Sequence, residues 1–140
     1  PKENSHFEYE PGNIVIGNQV YLSKNCYLIG NGGIHINDFC TLTPNTCLLS
    51  MTNHYASFKS PTDKNIGGAH EIPERQCYTI GPIVLKKNCF IALNSIILPG
   101  VSILEDSCVL MNSVVAGESI GPNHVVSGNR AVFIKKRYSD

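Results

Sequence analysis

Aliphatic side chains recur every sixth residue along two stretches of this chain. Ile16, Leu22 and Leu28, then Ile36, Leu42 and Leu48, mark the first stretch. Leu85, Ile91, Ile97, Ile103, Val109 and Val115 mark the second without a break. Ile, Leu and Val make up 35 of 140 residues, so about three of these twelve positions would be aliphatic by chance, and all twelve are. The position four residues after each is equally restricted: Val20, Cys26, Gly32, Cys40, Thr46, Thr52, Cys89, Ser95, Val101, Ser107, Ser113 and Ser119. Every one is small or β-branched.

A period of six does not suit an α-helix, whose 3.6-residue turn would scatter these positions around the axis. It is a multiple of two and suits short strands separated by regular bends. Each hexad then forms one side of a coil, its aliphatic residue pointing inward and its small residue filling a crowded corner. Three sides close a triangular turn of about 18 residues, and successive turns pair as parallel strands. The reading is an all-β protein, a β-helix over residues 14–137 with two coils in each stretch. Residues 1–13 form a polar tail and 138–140 a short C-terminal one.

Two interruptions stand out. Two extra residues separate Leu28 from Ile36, around the Gly30–Gly33 region. A much longer run, 54–82, obeys no period and carries Pro61, Gly67, Gly68, Pro73 and Pro82. A loop of that length in a compact repeat is more often functional than idle. After Ile120 the rhythm breaks at Gly121-Pro122-Asn123, and Ala131 to Arg137 reads as a closing strand with a basic end. Open ends and flat faces call for covering by oligomerisation.

Composition narrows the function classes. Eleven basic and eleven acidic residues cancel, which lacks the basic excess of a nucleic-acid binder. Apolar runs are broken by Gly, Pro or polar residues within a few positions, so no membrane span is expected. Six cysteines occur without a Cys-x-x-Cys pair, which argues against a zinc ribbon or a thioredoxin-type site. The polar N-terminal stretch has no apolar core of a secretory signal, so free thiols in a cytoplasmic protein are expected. Cys26, Cys40 and Cys89 are then wall residues of the coil.

The second stretch carries a resemblance. Gly81-Pro82-Ile83-Val84-Leu85, followed by Phe90-Ile91-Ala92-Leu93-Asn94-Ser95-Ile96-Ile97-Leu98-Pro99-Gly100-Val101-Ser102-Ile103, resembles the C-terminal signature of hexapeptide-repeat acyltransferases. The likeness continues through Asn112-Ser113-Val114-Val115 and Val125-Val126-Ser127-Gly128-Asn129 to Lys135-Lys136-Arg137, and upstream Leu42-Thr43-Pro44-Asn45 also fits. It is strongest to the maltose, galactoside and surface-polysaccharide O-acetyltransferases. The resemblance implies a left-handed β-helix, against the right-handed rule for parallel crossovers. It also implies a homotrimer with active sites between subunits, acetyl-CoA as co-substrate, a sugar or saccharide acceptor, and no metal.

Family members place a catalytic histidine at the start of the long loop, which here is His54. Direct acyl transfer to a hydroxyl needs a base and an oxyanion donor, and an imidazole with an unperturbed pKa of about 6.5 suits the base. His70 is the second candidate base. Glu71 and Glu74 are candidates for holding the imidazole, and Asn31 and Glu74 for contacting the acceptor. The resemblance assigns the coenzyme groove to Ala92, Leu93, Met111, Asn112, Ala116 and Gly117, with Lys135 available for phosphate.

Three departures bear on the donor. Relatives usually carry Trp at Phe90, Gly-Ala-Gly at Leu110-Met111-Asn112, and often Thr-Lys at Ala116-Gly117. A bulkier groove and a missing lysine bear on donor affinity and identity. The leading expectation is O-acetylation of a sugar hydroxyl. The alternatives are N-acetylation of an amino sugar and a non-catalytic β-helix scaffold. A γ-type carbonic anhydrase is disfavoured, because no two histidines stand five residues apart.

Overall fold

The computed structural model describes residues 11–55, 62, 64, 68–117 and 119–139. Sixteen strands run through them: β1 Ile14–Ile16, β2 Tyr21–Leu22, β3 Tyr27–Ile29, β4 Ile34–Ile36, β5 Thr41–Leu42, β6 Cys47–Leu49, β7 Met51–Asn53, β8 Tyr78–Ile80, β9 Ile83–Leu85, β10 Phe90–Ile91, β11 Ile96–Ile97, β12 Ser102–Ile103, β13 Cys108–Val109, β14 Val114–Val115, β15 His124–Ser127 and β16 Val132–Lys136. The helical element among them is one 3₁₀ turn, Pro73–Arg75. No helix there is long and apolar enough to cross a membrane.

Three sheets make the three faces of a prism. The first face is ordered β1-β4-β9-β12 and the third β3-β6-β11-β14. The second runs β2-β5-β10-β13-β15 and ends on β16. All the coil-to-coil pairings are parallel, and within these three sheets only β16 turns back, antiparallel on β15. Phe90 pairs with Cys108 and Ile96 with Val114, the full turn expected of three hexads. In the first coil Ile14 pairs with Ile34, two residues longer, and the surplus is absorbed by a turn in which Gly33 N–H donates to Gly30 O at 2.8 Å.

The inward column is the core. Ile36, Leu42, Leu48, Leu85, Ile91, Ile97, Ile103, Val109 and Val115 are buried in one continuous cluster. Its three N-terminal members differ: Ile16 is 43% exposed and Leu22 39%, and Leu28 is only partly buried. They point along the same axis, but no coil covers them among the described residues.

The small-residue column does more than save space. Ser95 Oγ donates to Leu110 O at 2.9 Å and accepts Ser113 N–H at 3.3 Å. Ser107 Oγ accepts His124 N–H at 3.3 Å, and Ser113 Oγ accepts Gly128 N–H at 3.1 Å. The thiols of Cys40 and Cys89 donate to Lys86 O at 3.0 Å and Leu104 O at 3.2 Å. Each of these five side chains thus bonds the backbone of the next coil, which offsets the cost of burying its polar atom.

The corners also explain the asparagines. Asn25, Asn45, Asn88, Asn94 and Asn112 each stand three residues after an inward aliphatic, and each has a left-handed φ near +60°. Asn visits this region more readily than other side chains, so it turns the chain at each corner at low cost. Gly100 does the same after Ile97.

Three expectations change. Thr52 is not a corner residue, because the chain leaves the coil earlier: Ser50 is buried in its place and Thr52 lies on β7. The excursion is also not wholly irregular, since β7 and β8 form an antiparallel hairpin at its root. Ser119 is exposed at the last, incomplete coil and does not join the buried column. His6, Pro61 and Gly67 lie outside the described residues. The basic end divides: Arg137 Nη1 donates to Asn88 O at 2.7 Å and ties β16 to the prism, while Lys135 stays exposed.

Truncating a central column residue should therefore cost far more than truncating an end one. We expect Leu42→Ala to lower unfolding free energy by about 2–5 kcal/mol and Leu22→Ala by under about 1.5 kcal/mol, measured by urea denaturation.

Candidate functional site

The excursion leaves and re-enters the prism at the corner joining the third face to the first. Gly32, Ser50, Gly81 and Gly100 stack there. Gly32 N–H donates to Ser50 Oγ at 2.8 Å, and Gly81 N–H to Ser50 O at 3.0 Å. A Cβ on Gly32 would lie 2.5 Å from Ser50 O, and one on Gly81 would lie 3.1 Å from the backbone of Gly100. Only glycine lets these coils approach so closely. The hairpin is therefore rooted in a tightly packed corner of the molecule.

His54 follows β7 directly. Its N–H donates to Cys77 O at 2.7 Å, extending the register in which Thr52 faces Thr79 and Asn53 faces Tyr78. Strand alternation then puts Thr52, His54, Cys77 and Thr79 on one face of the hairpin, and Met51, Asn53, Tyr78 and Ile80 on the other. The imidazole is half-buried and stacks on Tyr55, ring centroids 4.5 Å apart and planes 21° from parallel. His54 is thus held by backbone pairing on a rooted ribbon. Sequence reading placed it at the start of a structureless loop.

Its neighbours are organised by the 3₁₀ turn. Asn53 Nδ2 donates to Gln76 Oε1 at 3.4 Å, and Gln76 Nε2 donates to Glu71 O at 2.7 Å. The Glu71 carboxylate accepts Ile72 N–H at 3.3 Å and lies 3.7 Å from Arg75 Nη1. Glu71 is therefore engaged within the excursion, and Glu74 is exposed in the first turn of the 3₁₀ segment. His70 is exposed. Asn31 is exposed at the same corner as the hairpin root, its carbonyl accepting Gly12 N–H at 3.0 Å.

The expected donor residues fall into two groups. Ala92, Leu93, Met111 and Asn112 occupy the corner between the second and third faces, where Ala92 N–H donates to Val109 O and Asn112 N–H to Leu93 O, both at 2.8 Å. Leu93 and Met111 are exposed along it. Ala116 and Gly117 lie on the His54 corner, two coils further along the axis. Lys135 is on β16. One chain therefore does not bring His54 together with the first group, which sits on a different edge of the prism.

The thiols of Cys89 and Cys108 lack the setting of a nucleophile. The Cys89 thiol is pushed far above the ordinary range by its hydrogen bond to Cys40 and by burial. Burial also raises Cys108, against the attraction of Arg137. No cluster of three or more metal-ligating side chains occurs among the described residues. The sequence reading did not single out Cys77 and Thr79 as partners of His54; only the hairpin register reveals them.

No protein-family model matches the chain. A probable macrolide acetyltransferase of Lysinibacillus sphaericus is 29% identical over 135 residues, 96% of this chain and 66% of that protein. Among solved structures, a variant of AntD, an N-acyltransferase from Bacillus cereus in complex with dTDP and coenzyme A, superposes with a TM-score of 0.78 at 26% identity, covering 90% of this chain and 64% of that one. The hexapeptide-repeat acetyltransferase VCA0836 of Vibrio cholerae, complexed with acetyl-CoA, superposes at 0.74 with 23% identity, covering 91% and 62%. The chain is thus similar to hexapeptide-repeat acetyltransferases. Its prism is the left-handed parallel β-helix of those structures. This hexapeptide-repeat chain spans just under two thirds of the length of the relatives it matches.

The glycine corner gives a direct check on how the hairpin is anchored. Gly32→Ala should destabilise by about 1–3 kcal/mol, because its Cβ meets backbone that cannot move aside. Chemical denaturation of the two proteins measures it.

Proposed function

We propose that this protein is an acetyl-CoA-dependent acyltransferase in which His54 is the general base. The observation that carries the reading is the placement of His54 at the end of a hydrogen-bonded strand, on a hairpin locked into the glycine corner. Support comes also from AntD and VCA0836, whose structures hold coenzyme A or acetyl-CoA.

The chemistry is a direct displacement. The acceptor heteroatom attacks the thioester carbonyl while His54 takes its proton, and backbone N–H groups meet the oxyanion. Collapse of the tetrahedral species breaks the C–S bond, and the imidazolium returns the proton to the departing thiolate. No covalent enzyme intermediate is needed.

The acceptor is a sugar, offering either a hydroxyl or an amine. AntD in complex with dTDP-4-amino-4,6-dideoxyglucose favours the amino-sugar variant as a second reading. Thr52 and Thr79 share the His54 face, with Asn31 nearby and Glu74 on the excursion, as candidates to bond sugar hydroxyls. The donor arm runs beside Ala92, Leu93, Met111 and Asn112, with Ala116, Gly117 and Lys135 further along. Because Ala92, Leu93, Met111 and Asn112 lie on a different edge from His54, we assign each active site to two copies in a homotrimer. We assign the protein to the cytoplasm, the compartment in which free thiols persist.

Thiol release from acetyl-CoA in the presence of a dTDP-amino sugar or an unmodified sugar tests the reading and tells O- from N-transfer. His54→Ala should lower the rate by about 100-fold or more, with an unchanged melting temperature, whereas His70→Ala should leave it near wild type. Full activity of His54→Ala would remove the base assignment.

A further inference from the structure

Five of the six cysteines belong to the prism. Cys26, Cys40 and Cys89 stand at its corners, their thiols donating to Thr43 O at 3.5 Å, Lys86 O at 3.0 Å and Leu104 O at 3.2 Å. Cys47 and Cys108 lie on β6 and β13, and neither has a histidine opposite it in the strand pairings. Cys77 is different. It sits on the excursion, half-buried, at the end of the ribbon that carries His54.

The two residues face each other. The 2.7 Å bond from His54 N–H to Cys77 O continues the register of β7 on β8, so strand alternation turns both side chains to one face. Opposed residues of an antiparallel pair hold their Cβ atoms about 4.5–5.5 Å apart, within reach of a thiol and an imidazole. Both side chains are half-buried, so small solutes reach them, while the ladder down to Met51 and Ile80 fixes their spacing. A thiolate is the nucleophile in sulfur chemistry, and an adjacent imidazole that accepts the thiol proton supplies one.

We propose that Cys77 is a thiolation site, with His54 as its base, and that the mixed disulfide formed there blocks His54. The co-reactant is a low-molecular-weight disulfide of the glutathione class. The Cys77 sulfur attacks one sulfur of that disulfide while His54 takes the thiol proton. A new S–S bond forms as the old one breaks, and the departing thiolate takes the proton back from the imidazolium. Cys77 is oxidised, and half of the small disulfide leaves as a reduced thiol. The half that stays occupies the ground beside the imidazole where an acceptor heteroatom must stand to lose its proton. Excess free thiol reverses the exchange. The modification itself needs only the Cys77–His54 pair; the block rests on the proposed function, in which His54 is the base for acyl transfer.

Incubation with oxidised glutathione, read by intact-protein and peptide mass spectrometry, tests the site without any turnover. Wild type should gain one glutathionyl group, on Cys77, and lose it to dithiothreitol. His54→Ala should gain it at least about five-fold more slowly, and Cys77→Ser should gain none under the same conditions. Modified wild type should transfer acetyl groups at least about ten-fold more slowly and recover with dithiothreitol, whereas Cys77→Ser should keep its own rate through the treatment. Modification of Cys47 or Cys108 ahead of Cys77 would overturn the site, as would equal rates in wild type and His54→Ala. Full activity of the modified protein, with His54→Ala inactive, would overturn the block. An active His54→Ala variant would instead remove the acyl-transfer base, and the thiolation rates would still decide the site.

Discussion

Register between stacked coils is the constraint on which the rest of this molecule depends. Each strand is only two to five residues long, too short to be stable by itself, and gains its hydrogen bonds from the coil above and the coil below. A slip by one residue would turn the aliphatic column out to solvent and bring its polar neighbours inward. The corners prevent this. A residue in the left-handed region, most often asparagine, marks the corner after a strand, and at many corners a small residue just after it bonds the next coil. Core, corner and ladder thus specify the same register.

That stacking also creates the functional edges. Because the corners of successive coils superpose, an excursion inserted at one corner is carried at a defined height on one edge of the prism. The hairpin β7–β8 leaves there, and its own antiparallel ladder continues to His54. The exposed residues of the second stretch, Leu93 and Met111, project from a different edge. A prism cannot bend one edge toward another, so groups on separate edges meet only when a second prism packs alongside. In the proposed shared site, oligomerisation and catalysis are linked by this geometry.

Much of the fold was legible because the repeat is written in side-chain size and polarity. The inward column, the two-residue surplus before Ile36 and the closing strand near Ala131 were all readable from spacing. The hairpin was not, because Met51 to Asn53 and Tyr78 to Ile80 pair across more than twenty intervening residues and carry no turn signature at their ends. For the same reason Thr52 looked like one more corner residue, when Ser50 occupies that place. At the candidate site, His54 was marked by resemblance and by its position at the edge of the repeat. Cys77 and Thr79 left no signal, since their placement follows from strand register. The abundance of asparagine was visible in the composition, but its meaning appeared only with the backbone angles.

The central claim is that His54 of one copy works with the donor groove of another, and subunit complementation tests it most directly. His54→Ala and Ala92→Trp should each be inactive alone, the first lacking the base and the second filling the groove. Unfolded together in equal amounts and refolded as mixed oligomers, they should recover activity at about a quarter of the wild-type level, because that share of sites pairs an intact histidine with an intact groove. Mixed oligomers that form and stay inactive would contradict a shared site.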